Sequence, residues 1–174
     1  MRGDTYHIRP LDDTVDRSAF ECGEQALDAY IRRYASQDVK RGVARVFVAT
    51  PREAPSQLAG FFSLSAGAVR CDDLPLELAR RLPRYPVPVA LLGRLGVDRS
   101  FQRRGLGSIL VFDACCKVVQ AGAVLAVAGL VVDAKSDAAT SFYRQFGFVP
   151  MPGQPGRLLL SMKTLQRVAI DRAG

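Results

Sequence analysis

The chain has no tryptophan and only one histidine, His7. Ser-His-Asp or Cys-His catalysis would have to run through that residue, which falls in an expected first strand, "TYHIRPL", as a partly exposed side chain. The four cysteines, Cys22, Cys71, Cys115 and Cys116, show no CxxC spacing and no accompanying histidine cluster. A zinc site is therefore not expected, nor any other metal. Adjacent Cys115 and Cys116 lie about 100° apart on a helix and suit packing as small buried hydrophobes. No apolar run approaches the ~18 residues of a membrane span. The opening "MRGDTYHIRPLDD" lacks the apolar core of a secretory leader, so a cytoplasmic protein with no membrane partner is expected. No repeat, low-complexity tract or long linker interrupts the 174 residues, which predicts a single domain over 1–174.

Acidic residues are scarce where basic ones gather. The net charge of +7 and the pI near 9.6 call for an anionic partner. Up to Asp28 acids outnumber bases, but from Arg80 to Arg104 seven arginines are opposed only by Asp98. Hydrophobic content of 48% with a mean hydropathy of +0.06 fits a packed globular chain. At this length a fold buries about 70% of its unfolded surface and needs no disulfide or metal staple.

The first strand is expected to end at Pro10. In "SAFECGEQALDAYIRRYASQ", Leu27, Tyr30, Ile31 and Tyr34 recur at helical spacing. Two strand-like runs follow, "ARVFVAT" and "QLAGFFSLSAGAV", joined by "PREAPS" as a hairpin connection. A short helix, "LPLELARRL", precedes the proline-punctuated "PRYPVPVA". "VALLGRLGV" has the near-continuous apolar run of a buried central strand, and a helix begins near Gly105 with Leu106, Ile109, Leu110, Val118 and Val119 enclosed. "VLAVAGLVV" is the next strand, "SDAATSFYRQFG" a helix stopped by Gly147, and "RLLLSMKT" a final strand. A β-meander, then β-α-β, then a last helix and strand predicts a three-layer α/β fold around one mixed sheet.

The stretch "VDRSFQRRGLGSIL", residues 97–110, joins the central strand to that helix through a cluster of cations and two glycines. A glycine-rich turn that opens a helix presents backbone N–H groups at the positive end of the helix dipole. Glycine also removes the Cβ that would hold a ligand away from them. Phosphate or pyrophosphate is the natural occupant, with Arg103 and Arg104 adding charge-assisted hydrogen bonds. A P-loop is excluded because no lysine follows either glycine, and a dinucleotide fingerprint fails because its third glycine position is Leu110.

Gln102, Gly105 and Gly107 in "QRRGLG" resemble the acetyl-CoA signature of the GNAT superfamily of N-acetyltransferases. The preceding "LLGRLGVDRSF" is similar to the GNAT strand that binds pantetheine. "SDAATSFYRQFGF" is similar to the GNAT helix that carries a tyrosine before a glycine–phenylalanine turn. Together with "AFECGEQALDAYI" and "QLAGFFSLSAGAV", the chain resembles the GNAT-type toxins of bacterial toxin–antitoxin pairs. That resemblance implies acetyl-CoA as co-substrate, with Leu95, Gly96 and Val97 offering backbone groups to pantetheine and the acetyl carbonyl. It also implies that Arg103, Arg104, Gly105, Leu106, Gly107 and Ser108 cradle the pyrophosphate, and that Tyr143 is the catalytic acid. The implied substrate is aminoacyl-tRNA, acetylated on its α-amine so that translation stops. The implied partner is a ribbon-helix-helix antitoxin, with DNA reached only through it. Relatives tend to carry asparagine at the position of Ser136. Whether the chain forms a homodimer is left open.

The chemistry agrees with this substrate class. A phenol with pKa about 10 stays protonated at neutral pH and can protonate a departing thiolate whose acid lies near 8.5. No carboxylate stands on the central strand before Asp98, so no general base is evident. A lysine amine, near 10.4, would need one; an α-amine begins near 7.7–8.0, and an adjacent ester lowers it further. Arg94, on the same strand, either touches the 3′ end of the acceptor or neutralises Asp98. Two alternatives stay open: an acetyltransferase for a small amine or a protein N-terminus, and a non-catalytic cofactor-binding or DNA-complex subunit.

Overall fold

The computed structural model describes residues 5–173. Seven strands form one sheet in the order β1-β2-β3-β4-β5-β7-β6: β1 (Tyr6–Pro10), β2 (Arg45–Pro51), β3 (Gly60–Val69), β4 (Val87–Val97), β5 (Gly129–Asp133), β6 (Val149–Pro150) and β7 (Arg157–Ser161). Both pairing senses occur, β1–β2, β2–β3, β5–β7 and β6–β7 being antiparallel and β4–β5 parallel. The mixed α/β sheet expected from the order of elements is therefore present. Among the described residues no helix is long and apolar enough to cross a membrane. The chain divides into two compact units, one of residues up to Ser65 with Gly93–Asp113, the other of Ala66–Leu92 with residues from Ala114 on.

In the first unit the expected hairpin pairs β2 with β3, Phe47 opposite Phe62 with rings 5.2 Å apart. His7 is exposed on β1. Residues 18–24, expected to be helical, are not; the helix starts only at Gln25. There α1 (Gln25–Ala29), a π-helical turn (Tyr30–Tyr34) and α2 (Ala35–Lys40) follow one another directly. The Arg17 guanidinium donates to the Ile31 carbonyl at 3.0 Å, and Arg32 donates to that of Phe20, which ties the irregular lead-in to the helix. The π turn is marked by the Ala35 N–H, which donates to the Tyr30 carbonyl five residues back. That extra residue shifts the buried face by one. Tyr34, expected in the core, is 53% exposed, while Ala35 is fully buried in its stead. Phe20, Tyr30, Ile31, Val48 and Phe61 pack together here. Burying a side chain such as Phe61 contributes about 1.5–3 kcal/mol.

In the second unit Val69, Leu74, Val89, Val131 and Leu159 form a separate core. The short helix is confined to α3 (Leu76–Ala79), and α4 (Leu106–Gly122), begun in the first unit, ends here with Cys115 buried. The strand expected over "VLAVAGLVV" shortens to β5, because Val124 and Leu125 are exposed and lie outside the sheet. After it α5 (Asp137–Arg144) stops as predicted: Gly147 has φ +99° and its N–H donates to the Arg144 carbonyl. The last strand ends at Ser161, and an unforeseen helix, α6 (Met162–Ala173), follows. Its start is explained by the Ser161 hydroxyl, which accepts from the Thr164 N–H at 3.3 Å as an N-cap.

Gly129 sets the distance between β5 and β7. A Cβ at this position would lie 2.5 Å from the Leu160 carbonyl oxygen, so the sheet would have to open. Gly129→Ala is expected to destabilise by about 1–3 kcal/mol, roughly 2–12 °C in Tm, and a thermal melt checks it.

Candidate active site

The end of β4 and the turn after it are held by side chains in addition to backbone bonds from the Asp98 N–H to Ala59 and the Arg99 N–H to Glu21, both 2.9 Å. The Asp98 carboxylate accepts from the Ser100 N–H at 2.9 Å and the Glu21 N–H at 3.0 Å. The Gln102 amide donates to the carbonyls of Cys22 (2.8 Å) and Val97 (2.9 Å). Gln102, noticed in the sequence only as part of a signature, thus ties the turn to both the strand and the lead-in of α1. Arg99 pairs with Glu21 at 3.1 Å with both side chains largely exposed, a contact that adds little stability.

Two departures from ordinary backbone follow, with one residue between them. Arg103 has φ +62°, a conformation uncommon for a residue with a Cβ, and Gly105 has φ +82°. Such geometry costs of order 1–3 kcal/mol for a non-glycine residue and clusters at ligand sites. It delivers the chain into α4, anchored by the buried Leu106 and Leu110. The Ile109 N–H donates to the Gly105 carbonyl at 3.2 Å, so the amides of Leu106, Gly107 and Ser108 precede the first helical bond. Gly105 is exposed and Gly107 half-buried, which leaves the first turn open to a ligand.

Cationic side chains flank this opening. Arg103 and Arg104 are exposed, and with Thr5 and Tyr6 they line a concavity of about 360 Å³. The Arg104 guanidinium sits 5.5 Å from the Phe101 ring, which meets Tyr6 edge-on at 6.2 Å. Open amides at the positive end of a dipole, an exposed glycine and two guanidinium groups fit a pyrophosphate. All the residues expected to hold acetyl-CoA, from Leu95 to Val97 and from Arg103 to Ser108, lie in the first unit.

Arg94 lies in the same unit, and one of its two expected roles is corrected. Among the described residues it forms no ion pair with Asp98, whose carboxylate accepts from two backbone N–H groups. Instead its guanidinium carbon lies 3.8 Å from the centre of the Tyr30 ring. The Tyr30 hydroxyl donates to Asp38 at 3.2 Å, and burial pushes this phenol above its ordinary value, against the pull of the Arg94 charge. No sequence signal marked Tyr30 or Asp38 as partners of the strand. β4 itself is less enclosed than its apolar run suggested, because Gly93 and Arg94 are exposed.

Tyr143 belongs to the second unit, on α5. It is buried, with edge contacts to Phe142 at 5.2 Å and Phe148 at 5.5 Å. Ser136 caps the same helix, its hydroxyl accepting from the Ala139 N–H at 3.1 Å. Asparagine caps a helix about as well, so the local structure does not require serine. Two of the thiols are poor nucleophiles: burial pushes Cys22 up to about 11 and Cys115 up to about 12.

Comparison with known proteins agrees with this geometry. The family model for an acetyltransferase (GNAT) domain matches residues 42–150. A protein of Mycobacterium tuberculosis named tRNA-acetylating toxin is 41% identical over 163 residues, covering 94% of this chain and 96% of its own. Among solved structures, AtaT complexed with acetyl-methionyl-tRNAfMet superposes with a TM-score of 0.88 at 27% identity, covering 94% of this chain and 98% of that one. A tyrosine-to-phenylalanine mutant of the AtaT toxin, bound to the C-terminus of the antitoxin AtaR and acetyl-CoA, gives 0.79 at 26% identity, covering 94% and 97%. By the family model that spans most of its length and by a relative 41% identical over nearly all of it, the chain belongs to the GNAT family of acetyltransferases.

Proposed function

We propose that this acetyltransferase modifies the α-amine of the amino acid carried by a tRNA and thereby stops translation. The observation that carries the reading is the 41% identity, over nearly the whole chain, to a protein named tRNA-acetylating toxin. Chemistry supports it. No carboxylate precedes Asp98 on β4, and the Asp98 oxygens are engaged by amides, so the acceptor amine receives no evident base. An aminoacyl ester, much of it uncharged at neutral pH, needs none.

Bound acetyl-CoA would supply the acetyl group as a thioester. Residues 103–108 would hold its pyrophosphate, and the backbone of Leu95, Gly96 and Val97 would orient the pantetheine and acetyl carbonyl. As the amine forms the amide bond and the thioester bond breaks, Tyr143 would give a proton to the departing thiolate, and the proton shed by the amine would pass to solvent. We assign residues 1–174 to one catalytic domain, since the family match at 42–150 runs through both units. A ribbon-helix-helix antitoxin is the assigned partner: an acidic segment of it covers the arginines between Arg80 and Arg104, and its DNA-binding domain carries the pair to DNA. The assigned setting is the cytoplasm, where tRNA is charged.

Cell-free translation with the purified protein tests the proposal. Protein synthesis is expected to stop when acetyl-CoA is present and to continue when it is left out, with the acetyl group recovered on the α-amine of aminoacyl-tRNA. Unimpaired translation in the presence of acetyl-CoA would overturn it.

A further inference from the structure

The first unit contains a preset cation that the acetyl-CoA cradle does not use. Arg94 is exposed on β4, immediately before Leu95, and lies over the Tyr30 ring with 3.8 Å between guanidinium carbon and ring centre. Among the described residues no carboxylate pairs with it. Tyr30 is itself immobilised. It is 4% exposed, stacks on Phe61 with ring centres 6.3 Å apart, and is tethered through its hydroxyl to Asp38 at 3.2 Å. The π turn that starts at Tyr30 is part of this arrangement, and such turns recur at functional sites.

A guanidinium has five N–H donors and no acceptor, and it keeps its charge at any working pH. It can neither deprotonate an amine nor attract an ammonium; what it recognises is a planar or tetrahedral oxyanion. The Tyr30 ring covers one face of the group, and the exposed side chain keeps N–H donors towards solvent, an arrangement suited to phosphate. We infer that Arg94 binds the last phosphodiester of the acceptor tRNA, and that Tyr30 and Asp38 are positioning residues that hold its guanidinium for that contact. This inference rests on the proposed tRNA substrate and adds the group that anchors the acceptor end.

The test compares two acceptors for wild type and Arg94→Gln: aminoacyl-tRNA, and the methyl ester of the same amino acid, which keeps the α-amine and ester but has no phosphate. For the variant KM towards aminoacyl-tRNA is expected to rise about 10- to 100-fold, and the slope of log KM against log salt to fall by about 0.7. The loss on the methyl ester should be at least about tenfold smaller. Arg94→Lys, which keeps the charge and loses the planar guanidinium, should preserve the salt slope with an intermediate KM. Tyr30→Phe should raise KM at unchanged kcat, because the ring stays and only the tether is lost. Equal KM and salt slope for wild type and Arg94→Gln would overturn the inference, as would equal losses on both acceptors. Wild-type protein that acetylates the ester but never the tRNA would overturn the substrate reading as well, and that result is seen before any variant is made.

Discussion

Gly107→Glu is expected to abolish useful acetyl-CoA binding while leaving the fold intact or slightly firmer. Gly107 lies in the first turn of α4, beside the open amides that fit a pyrophosphate. A carboxylate there meets a like-charged ligand, a juxtaposition that costs several kcal/mol, so affinity should fall by about 10²- to 10³-fold or more. The unliganded helix should not suffer. Glutamate is a better helix former than glycine by roughly 0.5–1 kcal/mol, and an acid near a helix N-terminus is favourable by about 0.3–1 kcal/mol. Opposite signs for ligand affinity and apo stability are the signature to look for. Calorimetric titration supplies one and a thermal melt the other. Unchanged affinity in a folded variant would end the pyrophosphate assignment for this turn.

Tyr143→Phe should lower turnover by about 10²- to 10⁴-fold, the usual worth of a general acid, with little change in acetyl-CoA affinity. The phenol matters most where the thiolate departs, so its loss should appear in kcat rather than in binding. Its ring would keep the edge contacts to Phe142 and Phe148. Growth inhibition by the expressed protein should disappear together with turnover. Near-normal kcat would mean that the proton comes from elsewhere. Loss of cofactor affinity or a large drop in Tm would mean that Tyr143 serves packing alone. Measuring kcat, affinity and Tm on one preparation separates the three outcomes.

The parts of the molecule that local chemistry decides were legible in the sequence. The hairpin connection, the glycine stop at Gly147 and the strand-to-helix junction each depend on residues within a few positions of one another, and each forms where expected. What was not legible depends on distant contacts or on a change of period. Arg94 and Tyr30 are separated by sixty-odd positions, and nothing in either segment announces the other. The helix after Ser161 was hidden because the serine reads equally as the end of a strand and as a cap. Val124 and Leu125 are apolar enough for a strand but are exposed before β5. The apolar stripe Leu27, Tyr30, Ile31 and Tyr34 obeyed the α-helical period, and the chain did not.

That last discrepancy has an arithmetic meaning. A π turn is an α-helical turn with one residue inserted. Here the insertion falls within Tyr30–Tyr34, the span closed by the Ala35 N–H on the Tyr30 carbonyl, and Tyr34 is the member of the expected stripe that it leaves exposed. A relative whose helix is α throughout should therefore be aligned to this chain with a one-residue gap between Tyr30 and Ala35. An ungapped alignment would set Tyr34 against a core position and displace Asp38 by one column, so that the tether of Tyr30 would look unconserved in proteins that retain it.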